Sequence, residues 1–173
     1  MNKQNYNRIK IVLGDITLEE CDAIVNAANT SLLAGGGVCG AIFSRAGYLE
    51  LQRACDELSP IKTGDAVATP GFRLRAKYII HTAGPIYRDD SSAVYLRNSY
   101  INSLRVAEEL NLKSIAFPSI STGIFGYPLE KAAKIAINAL LSFEYKSIEE
   151  VRMVCFDDYT YTAYKQALNE KEC

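Results

Sequence analysis

Gly35-Gly36-Gly37-Val38-Cys39-Gly40 and Ser121-Thr122-Gly123-Ile124-Phe125-Gly126 are the two stretches whose residue types could do chemistry without help from charged side chains. Glycine lets backbone N–H groups close on an oxyanion, and the first run leads into residues at helical spacing, where unpaired amides and the helix dipole favour an anion. Either run alone could be a tight turn. Two of them suit a diphosphate gripped from opposite sides. Ser119, Ser121 and Thr122 add hydroxyl donors, and neither serine stands in the G-x-S-x-G context of a nucleophile. The first run also fits G-x-G-x-x-G. A dinucleotide site of the Rossmann type ranks lower, because Ala27 to Ala34 separate the glycines from the preceding strand and Asp56 and Glu57 fall in a helical stretch. No G-K-[ST] follows, which excludes a P-loop.

Other polar residues cluster at the predicted carboxyl ends of strands: Gly14-Asp15 after the first, Asn26 to Asn29 after the second, His81 to Pro85 after the fourth and Phe156-Asp157 after the sixth. Open α/β sheets bind ligands in that crevice. Asp15 is equally a turn residue or helix cap, Asn26 and Asn29 are equally Asx-turn formers, and Phe125 and Phe156 are equally packing residues. His81 is the sole histidine and has no Ser/Asp partners at recognisable positions, so it reads as a hydrogen-bonded structural residue. Five cysteines (Cys21, Cys39, Cys55, Cys155, Cys173) contain no C-x-x-C pair, so neither a disulfide framework nor a metal site is expected. No cofactor is expected either.

The elements that must position these residues follow from hydrophobic period. Arg8–Leu13, Ala23–Val25, Ala66–Thr69, Tyr78–Thr82, Ser114–Pro118 and Val151–Phe156 read as strands. Two short helices follow Val38 with a break at Gly47; a longer one, capped by Ser91 or Ser92, carries a stripe of Tyr95, Asn98, Ile101, Leu104 and Leu110. Leu129–Phe143 and Tyr159–Leu168 complete the helices. Pro70-Gly71 favours a turn. Strands alternate with helices after a hairpin-like first pair, which predicts an α/β fold: a three-layer α/β/α sandwich on a mixed, mostly parallel sheet. The 173 residues suit one domain. With 19 basic and 20 acidic side chains there is no electrostatic footprint for a nucleic-acid partner, and no apolar run reaches membrane-span length. A cytoplasmic monomer is expected.

The chain resembles the macrodomain family. The resemblance rests on Val12-Leu13-Gly14-Asp15-Ile16-Thr17, Val25-Asn26-Ala27-Ala28-Asn29, the first glycine loop, Tyr78 to Pro85 (Y-I-I-H-T-A-G-P) and Pro118 to Pro128 (P-S-I-S-T-G-I-F-G-Y-P). The wording is most similar to the MacroD-type branch, which removes ADP-ribose from modified acidic side chains. The resemblance implies that Asp15 accepts a hydrogen bond from the adenine amino group beside Ile16, with Phe156 and Asp157 near the base. It implies that Gly35, Gly36, Gly37, Val38, Ser119, Ser121, Thr122, Gly123, Ile124 and Gly126 line the diphosphate. Asn29 would orient the distal ribose, supported by Asn26 and Ala27, with Phe125 and Gly37 fixing its pose. The partners implied are ADP-ribose and mono-ADP-ribosylated proteins. Two positions depart from the MacroD pattern, which has aspartate after G-G-G-V and histidine four residues on: here they are Cys39 and Phe43. A thiol is mostly neutral at pH 7, so Cys39 suits a small apolar wall better than a general base. Similar viral macrodomains with alanine there still hydrolyse, which implies a water held by the substrate's own phosphate. A non-catalytic ADP-ribose reader and an O-acetyl-ADP-ribose deacetylase are the alternatives.

Overall fold

The computed structural model describes residues 2–172; Cys173, among the cysteines weighed above, lies outside them. Strands β1 (Ile9–Leu13), β2 (Ala23–Ala28), β3 (Ala66–Pro70), β4 (Tyr78–Ala83), β5 (Ser114–Phe117) and β6 (Glu150–Cys155) form one six-stranded sheet in the order β1-β6-β5-β2-β4-β3. Every pairing is parallel except β3 with β4. The helices are α1 (Lys3–Arg8), α2 (Gly37–Ala46), α3 (Tyr48–Leu58), α4 (Ala93–Glu109), α5 (Leu129–Ser142) and α6 (Asp158–Asn169).

Successive strand side chains point to opposite faces, and each face has its own core. Ile24, Ile79, Ala116 and Val154 pack with Ile42, Phe43 and Leu51 of α2 and α3. Val25, Ile80, Ile115 and Met153 pack with Leu104, Ile137 and Tyr164 of α4, α5 and α6. Each fully buried aliphatic side chain contributes about 1.5–3 kcal/mol, so both helix layers are held by the sheet rather than by their own propensity. The expected three-layer α/β/α sandwich is the fold observed.

The expected first hairpin is not formed. β1 lies at the sheet edge against β6, whereas β2 sits between β5 and β4. β2 is buried on both faces over Ala23 to Asn26, which demands a neighbour on each side; β1 has exposed residues at Lys10 and Leu13 and tolerates an edge. The antiparallel pair comes later, where Pro70-Gly71 turns β3 back into β4, with Gly71 N donating to the Lys77 carbonyl at 2.8 Å.

Two further expectations are corrected. Arg8 belongs to α1, whose Asn2 cap accepts from Gln4 N and whose buried Asn5 donates to the Leu141 and Phe143 carbonyls. On α4 the buried face is Leu96, Ser99, Tyr100, Ser103, Leu104 and Ala107, which shares only Leu104 with the expected stripe. Ser99 and Ser103 go inside because their hydroxyls donate to the carbonyls of Tyr95 (3.1 Å) and Ser99 (2.7 Å), one turn back. Ser92 does stand at the α4 cap position but makes no side-chain cap bond; Asp89 caps the preceding 3-10 turn, Asp90–Ser92, by accepting from Ser91 N at 2.8 Å.

Candidate functional site

Because β1, β6, β5 and β2 run parallel, their carboxyl ends open on one edge of the sheet. A cavity of about 500 Å³ lies there, lined by Asp15, Ile16, Gly37, Val38, Ser119, Thr122, Gly123, Phe156 and Asp157 among others. Its position is the one ligand crevices take in open α/β sheets. Among the described residues lining it, none is lysine or arginine.

Asp15 follows β1 and caps a short 3-10 turn, Ile16–Leu18: its Oδ1 accepts from Thr17 N at 2.9 Å and Thr17 Oγ1 at 2.7 Å. The Thr17 hydroxyl, with help from its amide, holds the Asp15 carboxyl below the ordinary range, so it is an anion at neutral pH. Both bonds go to one oxygen. The other oxygen has no hydrogen bond among the described residues, and Asp15 lines the cavity. Arg152 on β6 fixes the end of the turn, its Nε and a terminal nitrogen meeting the Glu19 carboxylate at 2.9 and 3.4 Å. Across the cavity Asp157 caps α6 by accepting from Thr160 N at 2.8 Å, which likewise lowers its pKa. Phe156 between them is 82% exposed, so it is a rim residue and not core.

The first glycine loop enters α2, with Gly36 as a cap that offers no side chain. Gly37 has φ +56, a conformation glycine adopts without penalty. Gly40 is required for another reason: a Cβ there would meet the Gly35 carbonyl oxygen at 2.5 Å. Gln52 on α3 anchors the approach, accepting from Ala34 N at 3.0 Å and donating to the Leu32 carbonyl at 3.1 Å. Among the described residues no acceptor takes the amides of Gly35, Gly36, Gly37, Val38 or Cys39. These are the orphan donors of a helix start.

The second loop is held at its ends and open in its middle. Tyr127 N donates to the Ser121 carbonyl (2.9 Å), Gly126 N to that of Gly123 (3.0 Å), and Tyr87 N to that of Phe125 (2.9 Å). The amides of Ser121 through Phe125 have no acceptor among the described residues. Ser121 adopts φ +66, which costs a residue with a Cβ about 1 kcal/mol or more, and its buried hydroxyl has no partner. Strain of this kind is concentrated at functional loops.

Residues 25–136 match the family described as Macro domain. A Macro domain-containing protein of Lactiplantibacillus plantarum is 48% identical over 165 residues, spanning 92% of this chain and 95% of the relative. The chain belongs to the macrodomain family. A Streptomyces griseus relative, also a Macro domain-containing protein, is 46% identical over 168 residues, 92% of this chain and 94% of the relative. Among solved structures, the Oceanobacillus iheyensis macrodomain with ADP superposes with a TM-score of 0.89 at 42% identity, covering 94% of this chain and 90% of that one. The Trypanosoma brucei macrodomain in complex with ADP-ribose does so with a TM-score of 0.87 at 37% identity, covering 93% of this chain and 69% of that one.

Not every residue predicted for the site reaches the cavity of this macrodomain. Gly35, Gly36, Ile124, Phe125 and Gly126 flank it in the two loops without lining it, and Ile124 is fully exposed. The Ser121 side chain is buried away from it. Asn26 and Ala27 lie inside β2 rather than beyond it. Asn26 is fully buried, with its Nδ2 3.1 Å from His81 Nδ1 and 3.7 Å from Cys39 Sγ, so it props the wall from behind. Asn29 spends both ends of its amide on Leu33, donating to its carbonyl at 2.9 Å and accepting from its N at 3.0 Å. It closes its own loop.

His81 is buried, bonded to Asn26 on one side and to Thr69 Oγ1 at 2.9 Å on the other; burial lowers its pKa to about 4. It is the hydrogen-bonded structural histidine that the sequence implied. Cys39 is buried too, its Sγ 3.8 Å from the Leu33 carbonyl. Burial pushes the thiols of Cys55 and Cys155 up to about 12 and that of Cys21 to about 11, so none of these is a thiolate nucleophile at neutral pH. Among the described residues no cluster suits a metal. No helix among them is long and apolar enough to cross a membrane. Sequence reasoning missed Thr17, Ala41, Pro118, Val154 and Thr160 on the cavity wall. For Thr17 and Thr160 the signal is local: Asp15-x-Thr17 and Asp157-x-x-Thr160 are capping patterns.

Proposed function

We propose that the chain is a single macrodomain that binds ADP-ribose in this cavity and hydrolyses mono-ADP-ribose from modified acidic side chains. The observation that carries the reading is the pair of loops whose free amides converge at one sheet edge with no basic side chain in the cavity wall. Such a wall suits a diphosphate held by backbone dipoles. Adenine would lie over Ile16 against Phe156, giving its amino hydrogens to the Asp15 carboxylate. The diphosphate would sit between Gly37-Val38 and Ser119 to Gly123, and the distal ribose would point along the second loop toward Phe125 and Asn29. ADP-ribose bound to the Trypanosoma brucei macrodomain supports this ligand.

Water attack at the distal ribose would rest on positioning. Cys39 stands where MacroD-type enzymes carry a carboxylate, and its buried side chain brings no carboxylate to the attacking water. A substrate phosphate oxygen would hold the water instead, and Phe125 with the first loop would restrict the ribose pose. A second reading, a reader that binds without turnover, is favoured by Asn29, whose amide is already closed on Leu33. Incubation with a protein mono-ADP-ribosylated on glutamate or aspartate separates the two. Release of label is expected; tight retention without release would establish the reader.

A further inference from the structure

Behind the second loop runs a chain of hydroxyls that ends in the cavity. Tyr100 on α4 and Tyr164 on α6 are fully buried, with their oxygens 3.5 Å apart. Tyr100 OH accepts from Ile120 N at 3.3 Å and lies 3.5 Å from the Pro118 carbonyl, which can only accept and so offers the Tyr100 hydrogen a place other than Tyr164. Tyr164 OH is 2.8 Å from Ser119 Oγ, where either oxygen can donate, and Thr122 Oγ1 lies 2.7 Å from the same oxygen and 3.1 Å from the Ser119 carbonyl. In the arrangement an anion in the cavity favours, Tyr164 and Thr122 both donate to Ser119 Oγ and the Ser119 hydrogen is left for the ligand. Ser119 is half-buried on the cavity wall beside Thr122 and Gly123.

We infer that Tyr164 is a positioning residue, whose hydroxyl hydrogen, given to Ser119, turns the Ser119 O–H into the cavity as a donor to an anionic oxygen of the ligand's diphosphate. The inference rests on the reading of this cavity as an ADP-ribose site. An anion in the cavity fixes the direction of the whole chain, because each hydroxyl that donates becomes a better acceptor. Burial pushes Tyr164 up to about 12 and Tyr100 well above its ordinary value, so both stay protonated at neutral pH. The Tyr164 hydroxyl therefore shapes the site without touching the ligand.

Titration calorimetry with ADP-ribose, ADP and adenosine tests this. Ser119→Ala should weaken ADP-ribose and ADP roughly ten-fold, as loss of a hydrogen bond to a charged group does. Tyr164→Phe should weaken both roughly five-fold. Adenosine affinity should stay unchanged in each, and the double variant should lose no more than Ser119→Ala alone, because Tyr164 acts only through Ser119. Equal losses for adenosine and ADP-ribose, multiplying losses in the double variant, or unchanged ADP-ribose affinity in Tyr164→Phe would overturn the inference. Should Tyr164→Phe fail to fold, Ser119→Ala decides: a loss confined to the diphosphate ligands upholds the donor, and an unchanged affinity overturns it. Absence of ADP-ribose binding by the unaltered protein would instead overturn the reading of the cavity.

Discussion

Asp15 has two tasks in one carboxylate, and they are separable. Oδ1 caps the Ile16–Leu18 turn, and the charge as a whole would receive the adenine amino group. Asparagine caps about as well as aspartate but carries no charge. Asp15→Asn should therefore leave the melting temperature within a few degrees and weaken ADP-ribose roughly ten-fold or more by calorimetry. Equal affinity would reduce Asp15 to a cap. Cys39 is the other decisive residue. Cys39→Ala trims a buried wall and should keep most hydrolytic turnover. Cys39→Asp places a carboxylate beside the Asn26 amide nitrogen but also near the Leu33 carbonyl, where the Sγ contacts are 3.7 and 3.8 Å. If the amide contact prevails, single-turnover release should rise, by up to about 10²–10⁴-fold for general-base help. Loss of all turnover in Cys39→Ala with binding intact would make the thiol catalytic. Asp15, Cys39 and the glycines were legible in the sequence because their types stand out at strand ends. Tyr164 was not, because its hydroxyl meets Ser119 only through tertiary packing of α6 beneath the loop.

At the scale of elements, all six strands and the helices after β2 were legible from period and punctuation, whereas α1 was not. β2 was read too short because Asn26 resembles a turn residue; in the fold its amide nitrogen faces His81 inside the sheet, and the strand continues to Ala28. The partner of β1 was illegible for a different reason. Pairing it with β6 brings together residues such as Ile11 and Met153, a separation that local sequence patterns do not encode. The α2 start makes a specific prediction. Gly40 packs its Cα against the Gly35 carbonyl, and an added methyl at 2.5 Å must push the loop away from the helix. Gly40→Ala should thus weaken ADP-ribose severalfold or more while the rest of the sheet keeps its circular dichroism. Calorimetry showing unaltered affinity would mean that the first loop does not grip the diphosphate.

For the molecule as a whole, the sole histidine reports on the tightness of the core between β2, β4 and α3. Burial lowers its folded pKa from 6.5 to about 4, so the unfolded chain binds a proton that the folded chain refuses. Stability is complete from this group above pH 6.5, falls as pH drops toward 4 and changes no further below that; the loss is on the order of 3 kcal/mol. The imidazole resonances should stay those of a neutral ring at pH 5, and titration near 6.5 would show that the core admits water. The central claim, that two backbone-lined loops close on a diphosphate, is tested most directly by backbone amide NMR during titration with ADP-ribose. Saturable shifts are expected, largest for Gly35 to Cys39 and Ser121 to Phe125, the amides that have no acceptor among the described residues. Saturable binding whose shifts avoid both loops, or no binding at all, would contradict it.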